Sequence, residues 1–329
     1  MENTNVPMAK RLIGIGLAIV CLAIGFLVPG SEALSHQGAT ALGILGALVA
    51  LWVTSALPLG ATALLVVVLC PVLGVVDNLG KAIGGFASPA LLFIIAVFSM
   101  PVIMLKTNWG VRLINALLGW TGANSRKMVL GFMIATTLVS TVMSDVPCTV
   151  LFLGFALTIL KAANTEPLQS NLGRCLMIGI PIAAVTGGMA TPAGSSFNVV
   201  AMNILQQATG TSISFLDWVL VALPVVIIMT PICWFFITAI LKPEPIAEET
   251  RACIERQGRE AGRLEALDWK VIAIIAFTFV LWVASNWTGW DITAIAILCL
   301  ALFFVPGIDV LTWKEYVSSV SWNIVLLIG

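Results

Sequence analysis

The feature that most limits the fold of this chain is a series of apolar runs, each close to the length that crosses a bilayer. An α-helix needs about 20 apolar residues to span the hydrocarbon core. Such runs occur at 11–29, 38–57, 59–76, 88–105, 212–240, 270–288 and 291–306, and another begins at 322–329. Because backbone polar groups in lipid need internal partners, the runs predict an all-α integral membrane protein.

The composition agrees with this fold class. The chain is 60% hydrophobic and 10% charged, whereas soluble domains carry about 25% charged residues. The formal net charge is zero, which gives no indication of a nucleic-acid partner. The seven cysteines are scattered, with no spacing typical of a zinc site or a disulfide framework. The first run follows Lys10 and Arg11 without a small-residue cleavage site, so we interpret it as a retained helix.

The basic residues predict the orientation. If residues 126–161 return to the side from which they entered, every Lys and Arg except Lys81 falls on one side of the membrane. The positive-inside rule then places the N-terminus in the cytoplasm of a multi-pass protein of the inner, or cell, membrane. Residues 107–120 are short and amphipathic, and we expect them to lie on the membrane surface. Residues 242–268 are interpreted as a solvated cytoplasmic loop, with a surface helix over 248–263 as the alternative.

Residues 126–161 do not fit a simple crossing. One helix of this length would be about 54 Å long, and two crossings would each have about 16 residues, fewer than a full span needs. The segment also contains Ser144, Asp145 and Pro147, and a charge in hydrocarbon costs about 2.5–3.5 kcal/mol. The pattern predicts a re-entrant hairpin whose tip, at 144–147, is buried in protein or lines a polar cavity.

Residues 172–207 contain a second interruption, TGGMATPAGSSFN at 186–198. It predicts a discontinuous helix that unwinds around 191–196. Free helix ends attract ions, and paired irregular segments at the midplane indicate a transporter binding site. The alternatives are structural: the glycines serve close helix packing, the hydroxyls bond their own helix, and Asp145 caps a helix.

A weak internal repeat organises the chain. LWVTS at 51–55 recurs as LWVAS at 281–285, and residues 88–95 align with 321–328. The span count places the copies in opposite orientations, as in inverted-repeat transporters. This predicts an N-terminal helix at 1–37, a first repeat at 38–241, the loop at 242–268 and the start of an inverted second repeat at 269–329. A complete second repeat would need about 100 more residues, so we expect a fragment or one part of a split protein.

Five stretches resemble the divalent-anion/sodium symporter family: LWVTSALPLGATA at 51–63, GFASP at 85–89, the predicted hairpin at 126–161, GGMATPAGSSFN at 187–198 and SFLDW at 214–218. The resemblance covers nearly all of the chain from about residue 40 onward. It implies a secondary active transporter of a small anion, such as a dicarboxylate, citrate or sulfate, driven by Na⁺. It further implies an elevator-type movement in a homodimer surrounded by membrane lipid.

The resemblance also implies site residues. The matching Na⁺ ligands are Ser140, Ser144, Asp145 and Gly194, and the matching substrate positions are Val146, Ser195, Ser196 and Asn198. Ser195, Ser196 and Asn198 would either face the substrate or hold the broken helix. The family's Ser-Asn-Thr is Ser144-Asp145-Val146 here. A carboxylate suits Na⁺ but can bind a proton instead, and Val146 lacks the substrate-directed hydroxyl.

Other functions remain as alternatives. One is an H⁺-coupled or exchange-type anion carrier, and another is a transport-incompetent subunit that needs a partner chain. An intramembrane enzyme is the third. Asp145 is the only acid in the two interrupted segments, and neither a His-Glu-x-x-His motif nor a Ser/His pair is present. The sequence therefore predicts a transporter and not an enzyme.

Overall fold

The computed structural model describes residues 6–31, 34–107, 112, 124–162, 169–245 and 265–329. These residues form helices and connections without any strand, which confirms the all-α prediction. The chain divides into two compact units, one of Met1–Leu92 with Ser321–Gly329 and one of Phe93–Val320. The expected surface segment at 107–120 and the alternative surface helix at 248–263 lie outside the described residues, apart from Thr107 and Arg112.

In the first unit, two long helices pack closely through glycine. Its elements are α1 Met8–Leu27, α2 His36–Val53, α3 Leu59–Val72, α4 Leu79–Ala82, a 3₁₀ turn at Gly84–Ala87 and, in chain order, α15 Trp322–Ile328. A Cβ added to Gly25 of α1 would lie 2.6 Å from the Cα of Gly43 in α2. Glycine is therefore required where the two backbones meet.

The second unit contains the remaining helices. They are α5 Pro89–Val97, which begins in the first unit, α6 Ser99–Lys106, α7 Ser125–Ser140, α8 Asp145–Ala162, α9 Asn171–Gly188, α10 Ser196–Thr209, α11 Phe215–Leu241, α12 Ala266–Thr288, α13 Ile292–Leu302 and α14 Trp313–Ser319. Its core is made largely by the facing sides of α7, α8 and α9, including Phe132, Phe152 and Ile180.

Five helical stretches of the described residues are long and apolar enough to cross a membrane: Met8–Leu27, His36–Val53, Pro89–Lys106, Phe215–Leu241 and Ala266–Thr288. The third of these consists of α5 and α6 together. The runs at 59–76 and 291–306 form shorter apolar helices, Leu59–Val72 and Ile292–Leu302. The first stops early because the chain turns at Gly74, two residues beyond it, whose positive φ ends a helix at little cost. The second is followed directly by turns over 303–308.

Two exposed tryptophans mark the length of α12. Trp269 near its start is 60% exposed and Trp287 near its end is 74% exposed. The helix between them rises about 27 Å, close to the hydrocarbon thickness of about 30 Å. Trp favours the membrane–water interface, so the spacing fits a helix that spans the bilayer.

Helices α7 and α9 run parallel, side by side. A Cβ on Gly179 would lie 3.2 Å from the sulfur of Met133, and a Cβ on Gly187 would overlap the backbone of Thr137. From the first contact to the second, the residue number increases in both helices, so the two helices point the same way. Their C-terminal ends therefore lie at the same level, and each is followed by one of the interruptions that the sequence indicates.

A short strap, residues 242–244, ties the N-terminal ends of these helices together. The Glu244 carboxylate accepts hydrogen bonds from the backbone N–H groups of Asn171 and Leu172, both at 2.9 Å. The Ser125 hydroxyl, at the start of α7, donates to the Pro243 carbonyl at 3.3 Å. Desolvation opposes ionisation, but the N–H groups and nearby Arg174 hold the pKa of Glu244 below its usual value.

Two lysines stabilise the connection between α13 and α14. The Lys106 ammonium donates to the Val310 carbonyl at 3.1 Å and to the Glu315 carboxylate at 2.7 Å. The Lys270 ammonium donates to the Gly307 carbonyl at 2.7 Å. Hydrogen bonds from Lys106 and Thr312 lower the pKa of Glu315 to about 2.

Candidate ion site at two helix breaks

The first break lies between α7 and α8, at residues 141–144. The predicted tip at 144–147 is placed too late, because Asp145, Val146 and Pro147 form the first turn of α8. Proline is tolerated in a first turn, where its missing N–H would have no helical partner. An aspartate there also interacts favourably with the positive end of the helix dipole. Both residues thus begin a helix.

The helices on either side of this break differ in length. α7 has 16 residues and α8 has 18, which correspond to about 24 and 27 Å of rise. The hydrocarbon core is about 30 Å thick, so α7 is too short to span it, whereas α8 is as long as α2, which is long enough to cross. If the break between them lies within the bilayer, protein must surround its free backbone groups.

The second break separates α9 from α10 and covers residues 189–195. α9 keeps Gly187 and Gly188 as its last residues, and α10 begins at Ser196. The unwound stretch therefore starts two residues before the predicted 191–196 and ends one residue earlier. The C-terminal ends of α7 and α9 and the N-terminal ends of α8 and α10 adjoin the two breaks.

Three of the predicted cation residues surround one glycine. A Cβ added to Gly188 would lie 3.2 Å from the carbonyl oxygen of Gly194 and 3.6 Å from the hydroxyl oxygen of Ser140. The same position is 3.7 Å from the Cβ of Asp145. The structure thus brings Ser140, Asp145 and Gly194 together, and it adds Gly188, which the sequence interpretation did not assign to the site.

Ser140 is fully buried at the end of α7. Its hydroxyl donates to the Ala184 carbonyl of α9 at 2.6 Å, so its proton is occupied while its oxygen can still accept or coordinate. Its own carbonyl oxygen would be 2.8 Å from a Cβ added to Gly194. The break can therefore approach α7 this closely only because residue 194 has no side chain.

Ser144 and Asp145 stand at the start of α8. The Ser144 hydroxyl donates to one carboxylate oxygen of Asp145 at 3.2 Å. Ser144 also lines a cleft between the breaks and α5, together with Phe93, Ile94, Val97, Phe98, Pro192, Ala193 and Ser196. Its accessible volume of about 10 Å³ is close to the roughly 10–15 Å³ that one water molecule requires. The cleft suits a single small occupant.

The predicted substrate residues are placed differently from one another. Ser196 lines the cleft, and Ser195 is a buried N-cap whose side chain makes no capping bond. Asn198 is buried and donates both amide protons to backbone carbonyls, one at the end of α9 and one in the second break. Val146 is 68% exposed. Of the four predicted substrate residues, only Ser196 lines the cleft.

The chemistry of the donors suits a hard cation. They are a carboxylate, two hydroxyls and a carbonyl, the oxygen ligands that alkali and alkaline-earth ions prefer. Within the described part of the chain, no three His, Cys, Asp or Glu side chains gather as a metal-binding group. Helix C-termini attract cations and N-termini attract anions, so the ends of α7 and α9 favour a cation and those of α8 and α10 an anion.

Apolar helices long enough to span a membrane, together with two adjoining helix breaks, are typical of a membrane transporter, and comparison with known proteins supplies the family. Residues 49–329 match the model of the citrate transporter family, and the chain belongs to that family. It is 25% identical to the sodium-dependent dicarboxylate transporter SdcS of Staphylococcus saprophyticus subsp. saprophyticus over 355 residues, which cover 100% of this chain and 67% of the relative.

SdcS of Staphylococcus aureus is also 25% identical, over 348 residues that cover 98% of this chain and 66% of the relative. The chain therefore spans about two thirds of the length of these relatives. The matches confirm the predicted relationship to the divalent-anion/sodium symporters. They also indicate a transporter rather than an enzyme.

Proposed function

We propose that this chain belongs to a secondary active transporter that moves a small anion of the dicarboxylate or citrate type across the cell membrane, coupled to Na⁺. The observation that carries the proposal is the grouping of Ser140, Asp145 and Gly194 around Gly188, at the junction of two helix breaks. The relatives named as sodium-dependent dicarboxylate transporters support the choice of cation and substrate.

In this proposal the cation binds at the C-terminal ends of α7 and α9. Its ligands are the Asp145 carboxylate, the Ser140 and Ser144 hydroxyls and the Gly194 carbonyl. The anionic substrate binds beside it, at the N-terminal end of α10, where Ser195 and Ser196 supply hydroxyls. The Asp145 carboxylate and an anionic substrate bound beside it repel each other strongly in a medium of low dielectric constant. A cation between Asp145 and the substrate removes that repulsion, and this couples the two binding events.

The proposed arrangement in the membrane is built from the same elements. Residues 126–161 form a re-entrant hairpin and 172–207 a broken helix within a first repeat at 38–241. Residues 1–37 precede that repeat with a cytoplasmic N-terminus, 242–268 form a cytoplasmic loop, and 269–329 begin an inverted second repeat. The 16-residue length of α7, too short for a full crossing, supports this topology. The working protein is a homodimer in lipid.

Proton coupling is the second candidate, and the identity of residue 145 favours it. Asp145 is the only acid in the two interrupted segments. A bound proton would neutralise this carboxylate as a bound Na⁺ would. Under this alternative, uptake depends on the pH gradient and is indifferent to replacement of Na⁺ by K⁺.

The test replaces Asp145 by Asn in the protein reconstituted in lipid vesicles. We expect the Na⁺ concentration for half-maximal uptake of a dicarboxylate to rise at least tenfold, because a charged ligand is lost. The control is Asp217→Asn, which changes an exposed acid that only caps α11. Unchanged Na⁺ dependence and pH profile in Asp145→Asn would contradict a cation role for this residue. Wild-type uptake that needs a pH gradient but not Na⁺ would select the proton-coupled alternative.

A further inference from the structure

Two buried side chains of the second break bond to backbone instead of facing the cleft. Thr191 is 6% exposed and Asn198 is 8% exposed. The Thr191 hydroxyl donates to the Thr141 carbonyl in the first break at 2.5 Å, and it accepts from the N–H of Gly194 at 3.1 Å. Thr191 therefore joins the two breaks and at the same time fixes the peptide unit that leads into Gly194.

Asn198, on α10, holds the second break from its C-terminal side. Its amide nitrogen donates to the Gly188 carbonyl and to the Thr191 carbonyl, each at 2.8 Å. Carbonyls at a helix C-terminus and in an unwound segment lack helical partners and must find others when they are buried. A single side chain on α10 thus satisfies one carbonyl at the end of α9 and one inside the break.

Together the two side chains determine where the Gly194 carbonyl stands. That oxygen lies 3.2 Å from the Cβ position of Gly188, on the same side as the Ser140 hydroxyl and Asp145. If Thr191 and Asn198 lose their donors, residues 189–195 keep no side-chain bond that holds this loop against the first break. The proposed ligands would then belong to two segments that move separately.

We propose that Thr191 and Asn198 are positioning residues of the cation site. They hold Gly194 against Ser140 and Asp145 and make the two breaks move as one body. This inference rests on the Na⁺ role proposed above. Neither side chain touches the cation, so the expected effect is that of a partner that orients a ligand. Loss of such partners typically weakens ion affinity by about 10–100-fold.

The experiment measures thermal unfolding of the purified protein in detergent against Na⁺ concentration, with K⁺ keeping the ionic strength constant. A ligand that binds the folded state raises its stability in proportion to log concentration above the dissociation constant. Thr191→Val should raise the Na⁺ concentration at the midpoint of stabilisation about tenfold. Thr191→Ser keeps the hydroxyl and should stay within about twofold of wild type.

The matched control is Thr136→Val. Thr136 is equally a buried threonine, on α7, but its hydroxyl bonds only to the Phe132 carbonyl of its own helix. This variant should change the unfolding temperature without moving the Na⁺ midpoint. Asn198→Leu removes both amide donors and provides a second route to the same result if Thr191→Val does not fold.

The outcomes separate the two proposals. Stabilisation of wild type by Na⁺ and K⁺ to the same extent would overturn the Na⁺ role and the positioning role together. A Na⁺-specific wild type with an unshifted midpoint in Thr191→Val or Asn198→Leu would overturn the positioning role alone. Equal shifts in Thr191→Val and Thr136→Val would have the same consequence.

Discussion

The helix pairs α1–α2 and α7–α9 both contain a close glycine contact, but the contact has a different consequence in each pair. In the first pair, Gly25 meets the backbone of Gly43 while α2 continues for ten more residues. In the second, Gly187 meets the backbone of Thr137, and both helices stop within one turn of the contact. Small residues that let helix backbones approach are common in membranes, so the contact by itself indicates packing only.

The two pairs differ in the backbone just beyond the contact. α7 and α9 end side by side, where the Ser140 hydroxyl donates to the Ala184 carbonyl of α9 and the Thr191 hydroxyl donates to the Thr141 carbonyl just beyond α7. The two adjacent glycines have different surroundings. Gly187 packs against Thr137, and Gly188 faces Ser140, Asp145 and Gly194. The two interpretations that the sequence leaves open, packing and site, therefore apply to neighbouring residues.

The largest expected effect comes from filling the packing contacts. Gly187→Val and Gly25→Val should each lower the free energy of unfolding by about 1–3 kcal/mol, because the added carbons meet backbone atoms that cannot move aside easily. A Cβ at either position meets three backbone atoms, but those of Thr137 lie closer to Gly187 than those of Ala39 and Gly43 lie to Gly25, so Gly187→Val should be the more harmful of the two. Denaturant unfolding followed by circular dichroism measures both. An unchanged free energy of unfolding in Gly187→Val would show that the contact between α7 and α9 does not require glycine, and the comparison with α1–α2 would fail.

A smaller effect is expected at Gly188. Gly188→Ala places a methyl group 3.2 Å from the Gly194 carbonyl oxygen, so the second break must shift by a few tenths of an ångström. We expect the Na⁺ midpoint of thermal stabilisation to rise about tenfold, as for other losses of ligand orientation, with little loss of stability. Gly179→Ala is the control, because its methyl group meets only the side chains of Met133 and Ile237 and no backbone of the second break. Equal Na⁺ midpoints in Gly188→Ala and Gly179→Ala would show that Gly188 serves helix packing and not the cation site.

The smallest effect concerns the lysine-bound connection between α13 and α14. The pKa of Glu315 is about 2 in the folded protein against an ordinary 4.5, so the unfolded chain binds the proton more readily. The contribution of Glu315 is thus present above about pH 4.5 and is lost as pH falls toward 2. The unfolding temperature of wild type should fall more steeply between pH 5 and 2 than that of Glu315→Gln. Parallel pH profiles would show that the Lys106 contact does not stabilise the fold.

Much of the helical architecture could be predicted from the apolar runs, because length and hydropathy alone determine which segments cross a bilayer. The ends of α3 and α13 could not, since Gly74, with positive φ, ends α3 inside apolar sequence and turns begin at Phe303 within the apolar run of α13. The predicted tip of the first break lies too late in the chain for a related reason. Proline and aspartate signal a turn when read singly, but they also begin helices, and at Asp145 and Pro147 they do.

The candidate site could be predicted in part. Ser140, Asp145 and Gly194 are implied by the family resemblance, and the structure brings them together around Gly188. Two features depend on contacts between distant or rearranged segments, which a single sequence does not give. One is the bond from Thr191 to the Thr141 carbonyl. The other is the use of Asn198 to hold the break, one of the two roles that the sequence left open.

The strap at 242–244 has a consequence for biosynthesis. The N–H groups that open α9, at Asn171 and Leu172, obtain their acceptor from Glu244, more than seventy residues later in the chain. On the ribosome, α7 and α9 are therefore made long before the group that fastens them exists. The bonds at their N-terminal ends can form only after α11 and residues 242–244 have been made. The contacts between α7 and α9 farther along involve only residues of those two helices. The two helices can therefore pack first and be fastened at their N-terminal ends last.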